Sequence, residues 1–331
     1  MNKVYINAAS ICVATPDQQD AADNWLKVDL PKITHKLLSP NATRRMSKAV
    51  KMGIFCSLEA VNHLDPATLD GILVGSSKGC LIDSDKFLQS IVEQQEEFLS
   101  PTPFIQSTHN TVAGQIALLI KNQGYNMTYS QGRISFESAV LDAYIQLTMN
   151  ERNTLLVGAV EELSAISIKV SSSFDETASP QQTTGISQSE GAGFFIFSNQ
   201  QDQHTRAELT DISIYSATTK LSSEAQLLAF VKKNKVSIEQ IDAIIYGSKN
   251  TENPFDAIST SFNKTRIINY QLQIGCFDTD IVFALDLALK LLYNQTLVQK
   301  SSPIENGSSS YQNILICNFG EQNSLMLLSG C

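Results

Sequence analysis

The side chains of this chain that could do nucleophilic or metal chemistry are few and spread thinly. Histidines stand at His35, His63, His109 and His204, and cysteines at Cys12, Cys56, Cys80, Cys276, Cys317 and Cys331. No two have the spacing of zinc ligands and no CxxC pair occurs, so no metal is expected. Gly71-Ile72-Leu73-Val74-Gly75 lacks the Lys and Ser/Thr of a phosphate loop, and the glycines between Gly185 and Gly193 lack strand–turn–helix order. No nucleotide cofactor is expected either. His109 precedes a run of small residues and lies upstream of the turn Tyr129-Ser130-Gln131-Gly132. A general base near a strand-to-helix nucleophile has that appearance, with Ser130 as its partner. The surroundings of Ser130 are not the GxSxG elbow. The competing reading is local: a helix-start histidine bonded to backbone, and a serine that caps its own turn. His35 and His63 read as surface or helix-end residues, and His204 as a solvated connector residue.

The elements that must position these groups follow from periodicity. Strands are expected over 4–13, 69–75, 126–130, 153–160 and 191–197, then over 209–215, 241–246, 313–318 and 324–328. Helical patterns run from Arg44-Arg45-Met46-Ser47 through Val61, and over 84–98, 111–120, 134–149, 222–234 and 281–293. The acidic, Gln-rich stretch 84–98 lacks an apolar stripe and reads as a surface or interface helix. Residues 171–189, 199–205 and 303–310 read as loops or connectors. Short apolar strands beside small-residue helices are the mark of a covered α/β sheet. The order of elements in the second half repeats that of the first, without a short local repeat.

Composition bounds the function. The chain has 331 residues, 43% of them hydrophobic and 17% charged, which is globular composition. Its net charge of −9 argues against a general nucleic-acid surface. The start Met1-Asn2-Lys3-Val4-Tyr5-Ile6 lacks the apolar core of a signal peptide, and no run reaches the length of a membrane helix. Free cysteines inside apolar runs suit a reducing compartment. The expectation is a soluble cytoplasmic protein, with no nucleic-acid or membrane partner.

Five segments, in order, resemble β-ketoacyl-[acyl-carrier-protein] synthases. Arg44-Arg45-Met46-Ser47 is similar to their early Arg-Arg-Met segment, and Val74-Gly75-Ser76-Ser77 to the strand end before their first large insertion. Asn110 to Leu118 is similar to the helix before their nucleophile. Ser189-Glu190-Gly191-Ala192-Gly193 resembles their Gly-Glu-Gly-Ala-Gly turn, and Cys317-Asn318-Phe319-Gly320 their Asn-x-Phe-Gly turn. The resemblance implies a thiolase-like α/β fold, two similar halves in five α-β-α-β-α layers, divided as 1–205 and 206–331 and used as a dimer.

The family condenses acyl and malonyl thioesters with a cysteine and two histidines. Matching the motifs here sets Tyr129 at the cysteine (Ser130 if shifted by one), Tyr246 at the first histidine and Cys276 at the second. Tyr246 begins Tyr246-Gly247-Ser248-Lys249-Asn250, with Asp256 following. The resemblance therefore implies a degenerate, non-catalytic member, similar to the Cys-lacking chain-length-factor-like subunits of aryl-polyene and flexirubin-type pigment biosynthesis. Such a subunit pairs with an active ketosynthase, works on acyl carrier protein and shapes the channel of a polyketide or fatty-acid-like chain. A homodimer is the other pairing, and strand 126–130 is expected near the dimer axis. Asn110, Tyr129, Gln131 and Phe319 are expected to line the channel, with Asn110 or the 317–320 turn bonding the Tyr129 hydroxyl. The alternative is an active condensing enzyme or acyltransferase using Ser130, Cys276 or His109.

Overall fold

The computed structural model describes residues 2–16, 25–30, 43, 46–174, 186–216, 219, 221–248, 261–293 and 311–331. His35, Arg44, Arg45, Lys249, Asn250, Asp256 and the expected loop 303–310 lie outside them.

In chain order the first half comprises β1 (Tyr5–Val13), α1 (Lys48–Ala60), β2 (Gly71–Gly75), α2 (Leu81–Glu93), α3 (Pro101–Gln106), α4 (Thr111–Ile120), β3 (Tyr125–Tyr129), α5 (Ser135–Thr148), β4 (Thr154–Glu161), α6 (Ala165–Phe174) and β5 (Gly191–Ser198). The second comprises β6 (Ala207–Tyr215), α7 (Ser223–Lys233), β7 (Ala243–Ser248), β8 (Arg266–Asn269), α8 (Gln271–Ile274), α9 (Ile281–Leu292), β9 (Asn313–Phe319) and β10 (Asn323–Ser329). The strands form one ladder in the order β3-β2-β4-β5-β1-β6-β10-β9-β7-β8. Its two ends carry the same pattern. β3, β2 and β4 are parallel, with β5 and β1 antiparallel beyond them; β8, β7 and β9 are parallel, with β10 and β6 antiparallel beyond them. The two five-stranded sets are joined by the β1–β6 pairing of Tyr5 with Glu208 and Ile6 with Ala207.

Strand alternation sorts the core into layers. On β2, Ile72 and Val74 pack outward with α1 and α4, whereas Leu73 packs inward. On β7, Ile244 and Tyr246 pack outward with Leu227 and Phe230 of α7, whereas Ala243 and Ile245 pack inward. Between the inward faces lie α5 and α9, the largest apolar cluster. The result is the α-β-α-β-α thiolase-like architecture. Close approach is built in: a Cβ on Gly53 of α1 would lie 2.6 Å from Val112 of α4.

Buried carboxylates fasten the first half. Glu162 accepts from Ala49 N (2.7 Å) and Ile82 N (2.9 Å), so one side chain caps both α1 and α2. Glu190 accepts from Val28 N, Leu163 N and the Lys48 ammonium, and Glu161 from Ser77 N and Lys78 N. Burial pushes Glu161 up to about 8 and Glu162 up to about 7, against the pull of those donors.

Some elements differ from expectation. The helix expected over 84–98 starts at Leu81 and stops at Glu93, and Gln95, Glu96 and Phe98 turn to positive φ. Residues 171–174, expected as the start of a loop, belong to α6, which runs to Phe174; Ser164 caps it by accepting from Ser167 N at 2.9 Å. Residues 175–185 lie outside the described residues. Helix α3 has Pro101 in its first turn, a position that needs no N–H. Strand β8, four residues long, and α8 were too short to show a period.

Candidate functional site

The candidate site is built on the turn from β3 into α5. Gly132 takes φ +60°, which reverses the chain, and Gln131 N then donates to Ser135 Oγ at 2.9 Å. Ser135 Oγ donates to Gly132 O at 2.6 Å, while Ser138 Oγ donates to the Gln131 side chain. The turn is thus closed by its own hydroxyls, and Gln131 remains exposed.

The next residue, Arg133, points into the interior. Its Nη2 donates to Asn318 Oδ1 at 2.9 Å, in the Asn-Phe-Gly turn of the second half. Asn318 Nδ2 donates to Glu137 Oε1 at 2.8 Å, and Ser324 Oγ donates to the same oxygen at 2.9 Å. Arg133 and Glu137 lie four apart on one helix face, so they meet the β9–β10 hairpin together. Glu137 is fully buried, which pushes its carboxyl up to about 7 although Asn318 and Ser324 pull it down. Asp280, Cys276, Tyr270 and Glu137 are all close enough to act on the Arg133 charge. Asp280 is held in turn: Tyr270 Oη donates to Oδ1 at 2.6 Å and Gln271 Nε2 to Oδ2 at 2.7 Å. Gln271 Nε2 also lies 3.6 Å from Cys276 Sγ, and Ser248 N donates to Gln271 Oε1.

The expected site residues do not gather around that centre. The Tyr129 hydroxyl donates to Asp142 Oδ2 of α5 at 2.7 Å, not to Asn110 or the 317–320 turn. Tyr125, four residues back on the same strand face, donates to the same oxygen at 3.1 Å. Burial, then the Asp142 bond, drives the Tyr129 phenol far above its ordinary range. Tyr246 and Phe319 face outward and pack in the cluster under α7. Cys276 alone of the substituted set lies near the centre, on a short bridge in which its N–H donates to Ser187 O and its carbonyl accepts from Ser189 N. Asn110 is exposed at the start of α4 and makes no side-chain cap bond.

His109 and Ser130 do come together, but on a shared acceptor. His109 Nε2 lies 3.1 Å from Ser77 O, and Ser130 Oγ donates to that same carbonyl at 3.3 Å. A carbonyl only accepts, so Nε2 carries the proton there and Ser130 points its proton away from imidazole. The rings of His63 and His204 stack at 4.7 Å on the surface. Among the described residues no group of three or more His, Cys, Asp and Glu is arranged to hold a metal ion. No helix there is long and apolar enough to cross a membrane.

Sequence reasoning missed Arg133, Glu137, Tyr270, Gln271 and Asp280. One signal was present: on β9 the inward positions Ile314 and Ile316 are followed by Asn318, a polar residue continuing an apolar face.

Comparison with known proteins agrees with this geometry. A family profile described as the β-ketoacyl synthase N-terminal domain matches residues 17–241. None of the curated proteins matches the chain. Solved structures similar to it include the ishigamide ketosynthase/chain length factor, with TM-score 0.75, 15% identity and 99% of both chains covered. A ketosynthase (ApeO) in complex with its chain length factor (ApeC) from Xenorhabdus doucetiae matches with TM-score 0.74 and 15% identity over 100% of this chain and 98% of that one. A type II PKS acyl-carrier protein in complex with its hexaketide-bound ketosynthase (AntDE:AntF) matches with TM-score 0.74 and 18% identity over 100% of both chains.

Proposed function

The chain belongs to the β-ketoacyl synthase family, and from that premise we propose that it is a non-condensing, chain-length-factor-like subunit that pairs with an active ketosynthase and works on acyl carrier protein. The observation that carries the reading is the β3–α5 turn. Residues 129–133 are Tyr, Ser, Gln, Gly and Arg, with no thiol among them. The Tyr129 phenol is bound to a carboxylate, which keeps it protonated, and the Ser130 proton is directed at a carbonyl. Arg133 brings a bulky cation, fixed to Asn318, into the space beside Cys276. A cation that never deprotonates is no general base.

The pairing is supported by the β3 edge. β3 stands at the end of the ladder and carries no charge or proline, the usual guards of an open edge. Met127 on it, Leu118 on α4, Ile145 on α5 and Met149 just past its end are all exposed. A second subunit whose own edge strand continues this sheet would cover them, in an interface of about 2,000–5,000 Å². The same proposal divides the chain at 205/206, between the end of β5 and the start of β6.

The test is to incubate the purified protein with acyl- and malonyl-carrier protein and follow products by mass spectrometry. No condensed product is expected. Turnover that Cys276→Ala or Ser130→Ala abolishes would show an active enzyme instead. Light scattering should show a dimer with itself or with a ketosynthase homologue; a stable monomer in both cases removes the pairing.

A further inference from the structure

One stretch of the chain lies outside every apolar cluster. From Ser84 to Asn110, 27 consecutive residues that include most of α2, all of α3 and the turn between them, no residue is buried. The stretch nevertheless presents Leu88, Val92, Phe98, Phe104 and Ile105 as exposed side chains, Phe98 at 96%. Exposed apolar residues scattered singly are ordinary, whereas five on one excursion mark a contact surface. Leu88 and Val92 share a face of α2 at i and i+4, and the Phe87 ring packs on Phe104 at 5.2 Å, which joins α2 to α3. At the tip, Gln95, Glu96 and Phe98 all take positive φ, a conformation unfavourable for any residue with a Cβ. That turn holds an aromatic ring in water, and no core of this chain stabilises it.

The excursion is continuous with the β3 edge. His109 near its end and Ser130 just past β3 meet on Ser77 O, and Thr111 Oγ1 donates to Ile105 O at 3.4 Å. From Thr111, Gly114 and Leu118 follow at i+3 and i+7 on one face of α4, and Asn126 Nδ2 ties β3 to that helix at Ala113 O. The five residues of β3 and their apolar neighbours are fewer than the about 20–30 residues a side of a stable interface. Residues 84–110 make up the difference. Charge then selects the partner. Glu93, Glu96 and Glu97 lie at the tip and make no ion pair among the described residues, while Lys86, the one lysine or arginine of the stretch, is paired with Asp83 at 3.2 Å. A second copy would present β3 and α4, which carry no charged residue, and would add a further net charge of −9. An acidic rim is better matched by an unlike, basic one.

We propose that residues 84–110 form a docking arm for an unlike subunit of the same fold, one that meets the arm with an apolar surface rimmed by Lys or Arg. The inference rests on the pairing proposed above and narrows it: the partner is a different chain, not a second copy.

The experiment measures association by light scattering and by titration of a fluorescently labelled sample, for the full-length protein with itself and with the ketosynthase homologue encoded nearest to it. The unlike pair should form, and the like pair should not at the same concentration. Val92→Ser combined with Phe98→Ser should weaken the unlike pair about tenfold or more with Tm unchanged, since neither residue is buried. Glu96→Lys combined with Glu97→Lys should weaken it by a similar factor. Wild-type affinity should fall as sodium chloride is raised, and that of the double-lysine variant should not. If the serine changes lower Tm, the charge reversal and the salt series still decide. Met127→Asp on β3 is the control for the pairing itself. If it breaks the pair while the arm variants keep wild-type affinity, the pairing stands and the arm is no part of it. If no pair forms with either chain, the pairing fails and the arm proposal with it. A like pair as tight as the unlike one overturns the choice of partner, and indifference to the lysine changes overturns its basic rim.

Discussion

The two central helices occupy equivalent places in a repeated strand order, yet they bury different chemistry. Every residue of α9 except Lys290 is buried, and its only charged group there, Asp286, is paired with that lysine at 2.7 Å. Helix α5 buries Ser135, Glu137, Ser138, Gln146 and Thr148 beside its apolar face, and Arg133 just ahead of it reaches across to Asn318. α9 acts as filler, and α5 carries the polar ties between halves. The strands beside them repeat the contrast. Gly75 closes β2 against the backbone of Ser135 and Phe136, whereas Gly247 near the end of β7 makes room for the Tyr270 ring. One fold position serves helix approach in the first half and an aromatic anchor in the second.

The strongest way to break this pairing is to remove the anchor. Tyr270 is fully buried, so Tyr270→Ala should cost about 3–5 kcal/mol in urea unfolding, while Tyr270→Phe should cost about 1–3 kcal/mol by leaving Asp280 short of a donor. Equal losses in the two variants would mean that the ring does not fill the Gly247 space. On the first-half side, a Cβ at Gly75 would lie 2.6 Å from backbone atoms of Ser135 and Phe136 that cannot swing away. Gly75→Ala should therefore cost about 3 kcal/mol. Gly132→Ala, strained in φ but sterically free, should cost only about 1–2 kcal/mol, and the reverse order would contradict the close strand–helix approach.

The polar tie predicts a pH dependence. Burial raises the folded Glu137 carboxyl to about 7, so the folded state holds its proton more tightly than the unfolded chain. Its contribution is fully present below the unfolded value and is lost as pH rises through about 7. Glu161 and Glu162 act in the same sense. Unfolding free energy should fall between pH 5 and 8, and Glu137→Gln should flatten part of that slope; an unchanged slope would show that Glu137 is ionised in the fold. The smallest effect belongs to the sheet edge. Tyr129→Phe loses one bond to Asp142 while Tyr125 keeps the other, so a loss of about 1 kcal/mol is expected, with assembly intact. Assembly lost in this variant would make the hydroxyl part of the subunit contact.

Strand and helix positions were largely legible, because period 2 and period 3.6 are local properties. The apolar runs at 191–197 and 313–318 and the helix over 281–293 lie within a residue or two of β5, β9 and α9. The site was legible only in part. Matching short motifs drew attention to Tyr129, Tyr246 and Cys276, but which face a strand residue takes is fixed by the partners on either side. Tyr246 and Phe319 fall outward and Asn318 inward through register alone.

The sequence by itself determined the alternation of strands and helices, the acidic globular character and the lack of a thiol in the 129–133 turn. Those follow from composition, periodicity and residue identity, which need no contact information. Only the tertiary structure decided that Arg133 rather than Tyr129 occupies the centre, and that His109 and Ser130 share one carbonyl instead of a proton. Arg133 and Asn318 are 185 residues apart in the chain, and their bond exists because the start of α5 packs against the β9–β10 hairpin.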